Sequence, residues 1–526
     1  MSNVNPAALF RALIVYAICV PAAILVGYLV TDPLQQQSIA IVALVLGFLV
    51  FPILIKWHYP LLIFSWSLPV SLFFLPGHPS LFLAMVAISL TISVIEKILD
   101  RNRPSLSVPS IRWGLVFFLA VILLTAKLTG GFGLRSMGSE VYGGKKYVFL
   151  IVGILAFFAV AARPIPKKYA NLYMTLFLIG GVFSLVSDLY GFVPDPLKFI
   201  YLVIPPADYT VGSGDASVVF GRTRLGGVAG AGTAIFFWML ARHGLRENLL
   251  TAKLWRPALL GLAAITIPLG GYRSSILAVA IIVAVLFCLE KLHRTGMMIV
   301  VLMMGILGGA LLVPLAPHLP FTFQRALAFL PLDISVEARM DTEDSTQWRL
   351  NMWSALLPQI PKYLLLGKGY AFSSETYDES MARDSAFHHA IDAAEDPLAL
   401  ASDFHNGPLS VVISLGLWGV VAWLWFWLAG FFVVWRNYRF GDPDLRHINN
   451  FILASFITKC TMFLLIAGSM VNDVAGFTGI VGLSVALNHG VRTRKSALVP
   501  AQPKPTVYPF HQPAAPAHPP LPAVGG

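Results

Sequence analysis

The feature that most constrains this chain is a succession of apolar runs, each roughly 17 to 25 residues long, recurring almost end to end. That is the length an α-helix needs to cross a hydrocarbon core of about 30 Å. A β-barrel would instead show alternating segments of about 10 residues, and none are present. Only 12% of residues are charged, against about 25% in soluble domains. These observations predict an all-α, polytopic membrane helix bundle of about 14 transmembrane helices (12 to 14), centred near residues 20, 47, 67, 88, 120, 155, 181, 233, 263, 282, 306, 420, 460 and 482. The run from Trp255 to Leu289 is too long for one crossing, since as a single helix it would extend about 52 Å. Pro268, Gly270 and Gly271 offer the break. Arg273 would cost about 2.5–3.5 kcal/mol at a bilayer centre, which assigns the turn to a membrane surface or a water-filled cavity. The first run, Ala12 to Val30, ends without a small-x-small cleavage pattern and is expected to be a retained span.

Charge placement predicts orientation. Of the 37 Lys and Arg, 22 fall in alternate connections and the two ends, among them Arg101, Arg163, Arg246, Lys291 and Arg439. By the positive-inside bias that side is cytoplasmic, with both termini on it. The net charge of +11 is therefore an orientation signal and does not point to nucleic acid. Cys19, Cys288 and Cys460 sit singly in apolar runs, which supports neither a disulfide framework nor a thiolate metal site. The expected organisation is transmembrane helices 1–11 over residues 1–314, an extracytoplasmic loop over 315–407, helices 12–14 over 408–495 and a disordered Pro/Ala-rich cytoplasmic tail over 496–526.

The polar insert collects 13 of the 26 Asp and Glu but only 6 of the 37 Lys and Arg, so it is acidic on a basic chain. Within it Trp348, Met352, Leu356 and Ile360 recur every four residues, predicting an amphipathic helix at the outer interface that Pro361 ends. At the far end of the insert, His405-Asn406 stands at the mouth of the next span. Histidine changes protonation near neutral pH and suits a general base; taken alone, it reads first as an interfacial residue capping a helix or as a polar loop residue. The pair His388-His389 competes for attention in an acidic stretch. Arg222 and Arg224 lie among glycines before the eighth span, and Arg273 lies in the inter-helix turn. A guanidinium fork matches phosphate oxygens, whereas snorkelling or an ion pair to the insert would be the structural alternative. Asp188 and Lys459 are ionisable groups inside apolar runs, without an evident role.

Several stretches, taken in order, resemble a known family. Gly221-Arg-Thr-Arg-Leu-Gly-Gly, Gly271-Tyr-Arg-Ser-Ser, Trp348-Arg-Leu-Asn-Met-Trp running to Leu366-Gly-Lys-Gly-Tyr, and Phe404-His-Asn-Gly-Pro followed by Leu415-Gly-Leu-Trp-Gly look like successive signatures of the O-antigen ligase and O-antigen polymerase-like membrane proteins. The resemblance covers roughly Tyr142 to Leu424, and Tyr272 stands where the family often carries a serine. It implies a glycosyltransferase of the bacterial inner membrane, acting on the periplasmic side in surface polysaccharide assembly. The implied donor is an undecaprenyl-pyrophosphate-linked glycan. The implied acceptor is lipid A core, another glycan or protein, and neither metal nor other cofactor is expected. By that likeness His405 would be the general base, Arg222 or Arg224 together with Arg273 would hold the pyrophosphate, and Arg349 and Asn406 would support them. The competing class is a transporter or flippase using Asp188, Lys459 and interrupted helices; transporters commonly pair such helices across internal repeats, and only the ninth and tenth spans, over Trp255 to Leu289, read as interrupted here.

Overall fold

The computed structural model describes residues 36–75, 77–102, 106–133, 141–206, 218–219, 222–373 and 404–494, with parts of 15–27. The tail, His388-His389 and Asp403 lie outside the described residues.

The chain is a helical, polytopic membrane protein. Among the described residues, eight helical segments are long and apolar enough to cross a bilayer, namely Leu81–Leu99, Pro109–Leu128, Gly144–Ala161, Lys167–Asp188, Met297–His318, Gly407–Phe440, Pro443–Ile466 and Met470–Leu487. Two shorter apolar helices, Trp255–Gly270 and Arg273–Leu289, add to them. In chain order we label α1 (Gln36–Ser65), α2 (Leu81–Leu99), α3 (Pro109–Leu128), α4 (Gly144–Ala161), α5 (Ala170–Ile179), α6 (Gly226–Leu249), α7 (Trp255–Thr266), α8 (Arg273–Leu289), α9 (Met297–Leu315), α10 (Val336–Leu356), α11 (Gly407–Phe440), α12 (Arg446–Thr461) and α13 (Met470–Leu487). Two-residue antiparallel ladders join β1 (Val141–Tyr142) to β4 (Phe372–Ser373) and β2 (Val218–Val219) to β3 (Arg222–Thr223).

One core unites the bundle. α13 packs on α4, α11 on α3, and α6 on α7 and α12, around Phe118, Phe426, Phe456 and Phe477, each almost fully buried. By contrast α9 buries none of its residues within the chain and is apolar all round, as suits a helix surrounded by lipid.

The break expected after α7 is present. Ile267–Gly270 tightens into a 3₁₀ turn, Gly271 adopts φ +67°, and α8 begins at Arg273. Three expectations are corrected. The span centred near 67 is not formed as a separate helix, because α1 continues through Pro52 and Pro60 to Ser65 and residues 66–75 are turns and irregular chain; a proline costs one intrahelical hydrogen bond, which a membrane helix tolerates without terminating. The amphipathic helix begins earlier, at Val336, and gives way at Leu357–Gln359, where Pro358 rather than Pro361 interrupts it. Interruptions are also not confined to the α7–α8 pair, because Gly244 (φ +68°, ψ 176°) breaks α6 and Gly416 (φ +65°, ψ −164°) breaks α11.

The Gly416 break explains two motifs at once. A helix opened inside a membrane protein must find partners for the backbone groups it frees. Here Lys368 N donates to the Ile413 carbonyl (2.7 Å), Gly369 N to the Ser414 carbonyl (3.0 Å), and Leu417 N to the Leu364 carbonyl (2.6 Å). The approach is close enough that a Cβ on Gly367 would lie 2.4 Å from the Ser414 oxygen. The Gly-Lys-Gly turn is thus the backbone complement of the broken helix, and it ties the insert to the bundle.

Candidate active site

The site is assembled around the turn between α7 and α8. Arg325, on the short helix Phe321–Leu327, donates through Nη1 to the Gly271 carbonyl (2.5 Å) and through Nε to the Asp341 carboxylate. Both side chains are largely withdrawn from solvent, at 11% and 13% exposed. The same short helix positions the start of α10, since Gln324 Oε1 accepts from Ser335 N (2.7 Å) and the Ser335 hydroxyl caps the helix at Ala338 N. α10 thereby runs past the turn, carrying Asp341, Thr346 and Arg349 along about 12 Å of its length.

Arg273 Nη1 donates to Thr346 Oγ1 (3.2 Å), and its electrostatic neighbours are Arg349, Arg325 and Asp341. Arg224 lies along Gly271, with its guanidinium carbon 5.7 Å from the centre of the Tyr272 ring. Burial first, and then the charge of Arg325, push the ordinary value of Arg224 down; Tyr272 and Asp341 oppose this. Its Nε is buried with no hydrogen-bond partner among the described residues. Four guanidinium groups therefore converge on one turn with Asp341 as the neighbouring carboxylate. Arginine stays protonated in proteins, so guanidinium groups outnumber the carboxylate that this electrostatic neighbourhood holds among the described residues. Such a cluster is chemically suited to a polyanion, each fork able to grip phosphate oxygens in two places.

The histidine reaches the same place through α10. Trp348 meets the His405 ring edge-to-face at 5.8 Å, and Trp353 Nε1 donates to the Phe404 carbonyl (2.8 Å). Phe404 is buried with Met352, Leu356, Leu409 and Ile413, which clamps the loop onto the apolar side of α10. His405 has φ +47°, and Asn406 Oδ1 accepts from Leu409 N (3.1 Å) to cap α11. Thr346, Trp348 and Arg349 span about 4.5 Å of helix. One turn of α10 therefore touches both Arg273 and His405.

Residues 258–424 match the family model described as O-antigen ligase. Over that stretch the chain is similar to the O-antigen ligases. The matched stretch takes in Arg273, Arg325, Asp341, Arg349 and His405, while Arg224 and Arg222 precede it. No curated protein matches the chain. The family likeness points to glycan transfer in surface polysaccharide assembly.

Of the residues named from sequence, the structure brings Arg224, Arg273, Arg349 and His405 to one end of the bundle. Asn406 serves its helix as a cap. Arg222 is placed only by its backbone in β3, its side chain lying outside what is described. Arg325 and Asp341 were not anticipated, although a lone Gln-Arg pair in the apolar run 321–330 is a usable signal. The two ionisable residues left without a role have structural partners. Asp188 accepts from Val228 N (2.7 Å) at the start of α6, and Lys459 lies 3.6 Å from Asp473 across the α12–α13 connection. The opposite end of the bundle is set apart by its own pairs, Arg163 with Glu96, Lys167 with Asp442, and Glu247 with both Arg256 and His447.

Proposed function

We propose that this protein transfers a glycan from an undecaprenyl-pyrophosphate donor to an acceptor hydroxyl on the periplasmic side of the bacterial inner membrane, with inversion at the anomeric carbon. The observation carrying this reading is the convergence of four arginines and His405 on the two faces of α10. In the reaction the acceptor oxygen attacks the anomeric carbon, the bond from that carbon to the diphosphate breaks, and the diphosphate leaves with the electron pair. His405 takes the acceptor proton. Arg224 and Arg273, backed by Arg325 and Arg349, stabilise the charge growing on the leaving diphosphate, a role often filled by a metal ion. Arg222 stands close in sequence and is a second candidate for the same grip. The insert end facing the periplasm follows from the distribution of basic loops, with twelve to fourteen crossings and both termini cytoplasmic. A lipid-linked donor accounts for a charged site at the membrane end of broken helices.

The test is reconstitution of the purified protein with a lipid-linked oligosaccharide and, separately, a lipid A core, a second donor molecule or a protein acceptor, with chelator present. Transfer to one of these, with release of undecaprenyl diphosphate, supports the reading and selects ligase, polymerase or protein glycosylation. A folded protein that leaves the donor intact with every acceptor overturns it.

A further inference from the structure

A groove of about 640 Å³ opens at the other end of the bundle, between the end of α6, the start of α7 and α5. α7 separates it from the arginine cluster, running from Trp255 at the groove to the Gly271 turn, about 24 Å of helix. Its walls are Trp238, Trp255 and Leu172, and its basic groups are Arg242, His243, Lys253 and Arg256. Trp238 spends its N–H on Thr175 Oγ1 (2.9 Å), leaving the ring as apolar wall, and Trp255 packs against His243 and beneath Arg256. Glu247 is drawn off to His447 Nε2 (3.3 Å) as well as to Arg256 (3.5 Å). Arg242 and Lys253 make no ion pair among the described residues, and the buried Nε of Arg256 has no hydrogen-bond partner among them. The site thus has a largely apolar and aromatic lining bordered by basic side chains, where helices of the bundle end.

We propose that this groove binds the phosphodiester headgroup of an anionic phospholipid. Its volume is that of a small-molecule site. Tryptophans concentrate at the headgroup level of a bilayer, and basic pockets between helix ends bind acidic headgroups there. The exposed Leu172 (51%) and Leu262 (60%) continue the apolar surface on which acyl chains would lie. The assignment is independent of the glycan-transfer reading, because none of these residues belongs to the arginine cluster or the His405 loop.

The experiment is native mass spectrometry of the full chain, delipidated in nonionic detergent and titrated with phosphatidylglycerol, phosphatidylcholine or inorganic phosphate. The wild type should bind phosphatidylglycerol on the order of 30-fold more tightly than an Arg242→Ala/Lys253→Ala variant, the change expected for two basic side chains at a headgroup. Phosphatidylcholine should bind both proteins alike, and millimolar phosphate should leave phosphatidylglycerol in place. Both substituted side chains are exposed, so thermal unfolding should match the wild type. Equal phosphatidylglycerol affinity in variant and wild type would overturn the site, and displacement by free phosphate would overturn the lipid as its ligand.

Discussion

Replacing Asp341 with asparagine removes the carboxylate that sits among the four guanidinium groups while keeping the volume and one acceptor oxygen. Arg325 and Asp341 are 11% and 13% exposed, so the charge left on Arg325 cannot be covered by water. Breaking a buried pair by deleting one partner costs about 3–5 kcal/mol; the retained acceptor places Asp341→Asn at the low end, about 3 kcal/mol. The cluster then loses the carboxylate it holds among the described residues, and an added diphosphate should offset that loss. A ligand at about 100 times its Kd stabilises the folded form by about 2.7 kcal/mol. The expected result is a lower unfolding temperature for the variant without ligand, and recovery of most of the loss with saturating inorganic pyrophosphate. The wild type should also be stabilised, by less at the same concentration. Thermal unfolding of purified protein in detergent, at one scan rate, measures this. Asp344→Asn, on an exposed position of the same helix, should stay within about 0.5 kcal/mol of wild type. If Asp341→Asn unfolds with the wild type, or pyrophosphate shifts neither protein, the cluster is not the charge-unbalanced anion site described here.

Four further outcomes are expected. His405→Ala should lower turnover by about 10² to 10⁴ with donor binding retained; a variant working near the wild-type rate in reconstituted assays excludes His405 as the base. Arg273→Lys should lose most activity despite keeping its charge, because an ammonium cannot reproduce a bidentate grip, whereas full activity in both Arg273→Lys and Arg273→Ala would make the residue a surface anchor. Gly416→Ala should cost at least about 1–3 kcal/mol, since φ +65° and ψ −164° is accessible essentially to glycine alone and the new Cβ would lie 2.8 Å from the Leu365 oxygen; unchanged unfolding would disprove the interlock with residues 364–369. Cysteines placed at Arg273 and His405 should react with an impermeant reagent added outside cells, and one at Arg439 only after the membrane is opened; the reverse pattern would invert the assigned orientation.

Much of the architecture was written in local composition. Apolar runs of membrane-spanning length commit the backbone to helices, because hydrocarbon offers no other partner for N–H and C=O groups. The length of Trp255–Leu289, with Pro268 and two glycines inside it, likewise required the turn that now carries Arg273. His405 and the arginines were legible as charge and polarity in places where either is costly. Packing decided the rest. The continuation of α1 to Ser65 turns on whether Pro52 and Pro60 end a helix or are tolerated inside it, which neighbouring helices determine. Arg325 is 54 residues from the Gly271 carbonyl it binds, and Gly416 lies about 50 residues beyond the segment that completes its broken helix. Hydropathy and length act along the chain and can be read there; the pairing of a buried charge or a freed carbonyl depends on which distant backbone is folded against it, and only the assembled bundle specifies that.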